Sequence, residues 1–260
     1  MNQIHNYRYE NIAYWTKRAP GYSNVNQEEL QTDQKRVWSQ TLDERIQAHF
    51  VNKSRSDIHI LDVGTGPGFF AIILAELGYH VTAVDYTQAM LEQAKKNAGI
   101  LTGKIDFLQM NAEELSFPDS RFDVIVSRNL TWNLSAPEKA YSHWVRVLKQ
   151  GGLLLNFDAN WYRYLYDTKA ETDHMADREN VQLTGAADDT AGTDVSAMES
   201  IARKAPLSKY VRPQWDVDIL SRLGMTVSAD TDVWKQVWTK DEWMNNASTP
   251  MFLVTAKRVA

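Results

Sequence analysis

Apolar side chains recur four apart at Trp38, Leu42, Ile46 and Phe50, which is one stripe of an α-helix within residues 28–51. A polar stretch over 52–57 separates it from Ile58-His59-Ile60-Leu61-Asp62-Val63. That short apolar run ends in glycines, as a buried parallel strand does. Residues 69–77 predict a helix closed by Gly78, 81–84 a second strand, and 87–98 a second helix with Met90, Leu91 and Ala94 inward. Further strands are predicted at 105–110 and 123–127. Ser135 is placed to cap a helix beginning at Pro137, with Tyr141, Trp144 and Leu148 as its apolar face. Lys149-Gln150-Gly151-Gly152 ends that helix ahead of a strand over 153–157. Strands alternating with helices require βαβ crossovers, hence an α/β fold with a doubly wound, Rossmann-like, mostly parallel sheet.

The rhythm then breaks. Residues 167–199 carry nine acidic side chains against Lys169 and Arg178, with Gly185 and Gly192 in the middle. A partly helical insertion with a mobile centre is expected there, either a solvated acidic surface or a substrate lid. The sheet pattern returns after Pro213 with a helix over 215–223 and strands over 225–228 and 251–256. Three parts follow: an N-terminal helical cap (1–50), a core (51–160 and 213–260) and an inserted lid segment (161–212).

Composition narrows the chemistry. With 260 residues, 43% of them hydrophobic, a core of ordinary size can be filled. The absence of cysteine excludes disulfides, Cys-ligated metals and a thiolate nucleophile. A net charge of −5 argues against a phosphate-backbone partner, so no nucleic acid is expected. The first residues lack the basic and apolar regions of a signal peptide. The longest mostly apolar run, 69–77, is broken by Glu76 and falls far short of the ~20 residues that span a bilayer. A cytoplasmic protein acting on small molecules is expected; oligomeric state is not legible.

Candidate chemistry concentrates at Asp62-Val63-Gly64-Thr65-Gly66-Pro67-Gly68-Phe69, where the first strand turns into its helix. Glycines there let the backbone approach a ligand outside the carboxyl ends of the strands. A dinucleotide fingerprint, G-x-G-x-x-G/A, would place a small residue at 69, where this chain has Phe69. Asp85 ends the second strand, and a carboxylate there can accept both hydroxyls of a ribose. A free diol is provided for; a diphosphate is not.

Asp62-x-Gly64-x-Gly66-x-Gly68 with Asp85 resembles the class I S-adenosylmethionine-dependent methyltransferases, most of all the small-molecule group that includes ubiquinone/menaquinone methyltransferases. The likeness covers roughly residues 7–160, extends weakly over the last two strands and leaves the insertion unmatched. It implies a seven-stranded sheet and S-adenosylmethionine as cofactor. Gly64 and Gly66, flanked by Asp62, Thr65 and Gly68, match the loop against which the methionine part lies. Asp85 matches the ribose acid, and Tyr86 and Met90 the residues flanking adenine. Asn111-Ala112-Glu113 matches a stretch usually beginning Asp-Ala; here the acid is replaced by Asn111, whose amide oxygen can still accept from the adenine amino group. Arg128 follows the fourth strand, where the family lines the methyl-donor face. The opening Tyr14-Trp15-Thr16-Lys17-Arg18-Ala19-Pro20-Gly21-Tyr22 is similar to a family segment that folds over the cofactor, with Tyr14 and Tyr22 touching it.

The expected activity is methyl transfer to a small-molecule acceptor by in-line displacement, which needs alignment and desolvation but no obligatory catalytic side chain. The expected acceptor wall is Trp15, Asn129 and Trp132, with Asn160, Trp161 and Tyr164 beyond the fifth strand; Arg163 in that stretch admits a planar or an anionic molecule. Asp158 is a candidate general base. Asp158 and Asn160 could ligate Mg²⁺, but the matching acid after the fourth strand is missing, so no metal is expected. His5 and His174 lie near the expected mouth as further acid/base candidates. A nicotinamide oxidoreductase and a cofactor-binding scaffold without turnover stand as alternatives.

Overall fold

The computed structural model describes residues 3–259, with side chains from Asn6 onward, so the side chain of His5 lies outside the described residues. Two helices open the chain, α1 (Gln3–Gln31) and α2 (Asp33–His49). The helix expected over 28–51 is divided at Thr32, whose extended backbone ends the first before Asp33 begins the second. Strands β1 (His59–Val63), β2 (His80–Asp85), β3 (Ile105–Gln109), β4 (Phe122–Arg128) and β5 (Leu148–Asp158) follow. Between them lie α3 (Phe69–Glu76), α4 (Gln88–Ala98) and α5 (Pro137–Val147). The insertion contributes α6 (Thr168–Thr184) and α7 (Val195–Ala202). The chain closes with α8 (Gln214–Arg222), β6 (Met225–Asp230), α9 (Trp234–Val237), α10 (Lys240–Asn246) and β7 (Phe252–Arg258).

The seven strands form one sheet in the order β3-β2-β1-β4-β5-β7-β6. Only β7 runs antiparallel to its neighbours, β5 and β6. Alternating side chains feed two layers. Ile60, Val124 and Leu155 pack against α2 and α3 through Trp38, Leu42 and Phe70. Leu61, Ile125 and Leu154 pack against α5 and α8 through Tyr141, Trp144 and Leu220. Chain order reverses between β1 and β4, and an open α/β sheet presents its ligand crevice at such a point.

Two local expectations are corrected. Ser135 does not cap α5: the N-cap is Ala136, without a side-chain bond, and Ser135 turns its hydroxyl and amide to Glu113. Lys149 to Gly152 belong to β5, which starts at Leu148 opposite Phe122 and shifts register before Leu153 pairs with Val124. The middle of the insertion meets α10, where Asn245 donates to the Ala187 carbonyl at 2.7 Å and Asn246 to Asp189 at 2.8 Å. Within residues 1–50, α2 is part of the core, and α1 does the covering. It meets α4 through Ser23 and Asn97, and α7 in a small cluster of Tyr7, Trp132, Met198 and Ile201.

Candidate active site

The β1–α3 turn is held from beneath by backbone. The amides of Gly64 and Thr65 both donate to the Val84 carbonyl, at 2.8 and 3.0 Å, so the loop is fastened to the end of β2. Gly64 has a φ of 70°, and a Cβ there would overlap the Leu130 side chain at 2.6–2.9 Å. Only glycine satisfies both conditions. Gly66 lies under the Tyr22 ring, 3.5 Å from where its own Cβ would be.

Asp85 accepts from the Gly66 amide at 2.9 Å through one oxygen and from the Thr87 amide at 2.8 Å through the other. Each carboxylate oxygen accepts more than one donor, so capacity remains for a diol. Burial pushes the Asp85 carboxyl up to about 6, against the pull of those two amides. Asp62, buried and bonded by the Thr65 hydroxyl at 2.6 Å, is pushed up to about 7, again mainly by burial.

A single cavity of about 570 Å³ opens over this edge, within the range of small-molecule sites. Its near end is lined by Asp62, Gly64, Thr65, Gly66 and Asp85, with Tyr86 and Met90 beyond them. Asn111 and Ala112 complete that wall, and the Asn111 side-chain oxygen already accepts the Glu113 amide at 3.0 Å. Tyr14 and Tyr22 of α1 form the roof. Gly68 is not in the wall; it faces Ala94, where even a methyl would come within 3.0 Å.

Two expected contact residues line the cavity but are already engaged. Glu113 accepts from Arg8 and from the amides of Ser135 and Ala136, joining α1 to the start of α5. Arg128 makes a two-pronged pair with Glu29 at 2.8 and 3.0 Å and lies 4.6 Å above the Phe69 ring. Burial works against its charge, yet Glu29 outweighs this and holds the guanidinium above its ordinary pKa. Both residues brace the roof.

The far end is aromatic. Trp15, Trp132, Trp161 and Tyr164 line it, as does Asn129, whose φ is 56° and whose buried side-chain oxygen has no partner among the described residues. The Trp132 and Tyr162 rings are 4.8 Å apart and tilted, and Tyr164 stacks on His174 at 3.9 Å.

Asp158 and Asn160 do not reach this space. Asp158 has no exposed surface and accepts from Arg212 at 2.8 Å, the Thr131 hydroxyl, the Trp132 and Ala159 amides and the Trp161 indole. Its lone pairs are spent, so its geometry is that of a buried structural anion rather than a base. Asn160 clasps the Arg212 backbone through both its oxygen and its amide nitrogen. Arg163 is likewise turned away, bonded to Lys209 and Asp167.

Arg18 was not anticipated as a contact. It lines the cavity beside Tyr14 and Tyr22 and has no hydrogen-bond or ion-pair partner among the described residues. Its position four residues from each tyrosine, on one stripe of α1, is the trace it leaves in the sequence. Met198 was also missed, because only the folded insertion brings it to the wall.

Comparison with known proteins agrees with this layout. Residues 61–156 match the family model described as Methyltransferase domain. A ubiquinone biosynthesis O-methyltransferase from Rickettsia akari is 34% identical over 112 residues, 43% of this chain and 44% of that protein. A ubiquinone/menaquinone biosynthesis C-methyltransferase from Vibrio vulnificus is 38% identical over 109 residues, 39% of this chain and 41% of its own. The chain thus spans less than half the length of these curated relatives. The crystal structure of an S-adenosylmethionine-dependent methyltransferase from Aquifex aeolicus superposes with a TM-score of 0.53 at 19% identity, over 85% of this chain and 89% of the other. The fold is that of the class I methyltransferases.

Proposed function

We propose that this chain, a class I methyltransferase by fold with a methyltransferase-domain sequence over residues 61–156, moves a methyl group from S-adenosylmethionine to a small-molecule acceptor. The observation that carries the reading is one continuous cavity with the Asp85 carboxylate at one end and an aromatic chamber at the other. The residues present fit the cofactor. Asp85 has free accepting capacity for the diol, and Gly64 and Gly66, at φ of 70° and 52°, make the tight turn that brings the loop backbone to the cavity wall. Arg18 supplies an unpaired cation for a carboxylate, and Tyr86 and Met90 flank a flat base. When bound, the cofactor supplies an electrophilic methyl on a positively charged sulfur, leaving S-adenosylhomocysteine.

What the protein adds is alignment and the exclusion of water. Tyr14, Trp15 and Tyr22 roof the cavity, and the Glu29–Arg128 and Arg8–Glu113 pairs fasten that roof to the sheet. A nicotinamide cofactor fits less well, since Phe69 stands where the diphosphate spacing needs a small side chain. No helix among the described residues is long and apolar enough to cross a membrane. A cytoplasmic location and a partner set without nucleic acid belong to this proposal, the latter resting on the net charge of −5.

A thermal-shift series tests the reading. At about a hundred times Kd, S-adenosylmethionine or S-adenosylhomocysteine adds about 2.7 kcal/mol, or roughly 5–10 °C, and NAD adds nothing. A shift with NAD alone would replace the reading with an oxidoreductase. Cofactor binding without methyl transfer to any acceptor in a broad metabolite screen would favour a scaffold.

A further inference from the structure

Resting on the methyltransferase reading, we infer that the acceptor is a small basic amine, methylated on nitrogen, and that the far chamber holds the ammonium this produces. The walls of that chamber are aromatic. Trp132, Tyr162 and Tyr164 line it with ring centroids 4.8 and 5.9 Å apart, and Trp15 joins them from α1, edge-on to Tyr14 at 5.4 Å. Aromatic faces carry partial negative charge and attract a cation that has given up its water. The Tyr162 hydroxyl has no hydrogen-bond partner among the described residues, so its oxygen is free to accept from an N–H.

The insertion supplies the sign of the field. Asp177, Asp188, Asp189 and Glu199 surround this end, against Arg178 and Arg203. Arg178 is met by Asp188 at 3.1 Å and Asp189 at 3.4 Å, while Asp177 and Glu199 have no ion-pair partner among the described residues. The Tyr162 phenol, pushed up first by burial, is raised further by Glu199 and Asp189, as a negative surrounding requires. His174, stacked on Tyr164 at 3.9 Å, is pulled below the ordinary histidine value by burial and then by Arg178, so it adds no positive charge at physiological pH. The other cations of the cavity are matched at its near end. Arg8 and Arg128 pair with Glu113 and Glu29, and Arg18, beside Tyr14 and Tyr22, is the cation that meets the cofactor's carboxylate. An acceptor entering as an anion would be repelled here. An amine gains instead, because its nitrogen lone pair attacks the methyl carbon as the carbon–sulfur bond breaks, with that bond's electron pair staying on sulfur. The positive charge thereby passes from sulfur to nitrogen, among aromatic faces and carboxylates that stabilise it as it develops. A primary or secondary amine then releases one proton to solvent; a tertiary amine keeps the charge.

The test compares three probes of one shape by isothermal titration, with no turnover needed. Choline carries a positive nitrogen where 3,3-dimethylbutan-1-ol has carbon, and 3,3-dimethylbutanoate carries a negative charge. The protein is loaded with S-adenosylhomocysteine, whose uncharged sulfur does not repel a cation. Choline is expected to bind about tenfold tighter than the alcohol, with the carboxylate weakest. Tyr162→Leu, which removes a ring whose hydroxyl holds nothing else in place, weakens choline about fivefold and the alcohol by no more than about twofold. Glu199→Gln keeps an acceptor for the Tyr164 hydroxyl and weakens choline alone, by about twofold. Unchanged affinity for S-adenosylhomocysteine shows that both variants are folded. Equal binding of choline and the alcohol, preference for the carboxylate, a choline preference that survives both substitutions, or binding of none of the three would each overturn the inference. Failure of S-adenosylhomocysteine itself to bind would instead refute the cofactor reading, a separate result seen before any probe is added.

Discussion

The near end of the cavity comes from one βαβ unit: Asp62, Gly64, Gly66 and Asp85 sit on β1, its turn and β2, fixed by backbone amides. The far end is gathered from four separate segments, with Trp15 from α1, Trp132 after β4, Tyr162 after β5 and His174 from α6. Side chains hold it together. The first arrangement forms whenever the sheet forms. The second exists only when the insertion and α1 have docked, so substitutions in the two regions should fail in different ways. Near-end changes weaken ligand binding in a folded protein, and far-end changes at the bracing residues unfold it.

The largest effect is expected from Arg212→Met. The Arg212 side chain is 1% exposed and bridges Asp158 and Asp216, both wholly buried, at 2.8 and 2.7 Å. Its removal strands two carboxylates in the core, a loss of about 3–5 kcal/mol, which lowers Tm by on the order of 10 °C. If Asp158 belonged to the chemistry instead, the variant would keep its Tm and lose only rate. Thermal unfolding monitored by circular dichroism decides between them.

Asp158 also marks where the sequence stopped being informative. Its place at the carboxyl end of β5 looked chemical, yet its fate is set by Arg212, which closes the insertion and reaches it only through the tertiary fold. Asn160 was misread for the same reason. Ser135 had a suitable position for a helix cap, but Glu113 offered its hydroxyl a charged acceptor. The strand–helix alternation, by contrast, is a local consequence of periodicity, and the Gly64–Gly66 turn and Asp85 are fixed within one βαβ unit. Those features were legible. Strand order and the aromatic chamber depend on which distant segments pack together, and no local pattern encodes that.

Next in size is Asp85→Ala, which removes the acceptor for the diol. Two bonds to a carboxylate, at about 1.5 kcal/mol each, correspond to roughly a hundredfold rise in the Kd for S-adenosylhomocysteine. Isothermal titration calorimetry measures this, and a loss of under tenfold would move the ribose elsewhere. The Gly66 and Thr87 amides also lose their partner, so Tm is followed in parallel.

Arg18→Met is expected to cost about fivefold in affinity for S-adenosylhomocysteine, the upper end for a partly solvated ion pair that forms only on binding. The discriminating ligand is 5′-methylthioadenosine, which lacks the amino-acid end and should bind wild type and variant alike. Equal losses for both ligands would show that Arg18 shapes the roof and does not meet the carboxylate.

The smallest effect is a pH dependence that should differ between free and bound protein. Asp62 and Asp85 have folded pKa values of about 7 and about 6, above the ordinary carboxylate value, because both are buried. The native state therefore binds protons more readily than the unfolded chain. The stabilisation from this source is complete below the unfolded pKa and is lost as pH rises through about 6 and then about 7. Ligand binding runs the other way, since the diol is held by the Asp85 carboxylate. Between about pH 7 and about pH 6 the ionised fraction of Asp85 falls from roughly nine tenths to one half, so affinity drops about twofold. The ligand-induced rise in Tm should thus shrink on acidification while this part of the free protein's stability grows. Asp85→Asn, which cannot titrate, should retain weakened binding whose pH dependence over this range is gone. A wild-type increment that stays flat across the same interval would mean that Asp85 does not touch the ligand, and the near end of the cavity would lose its assigned role.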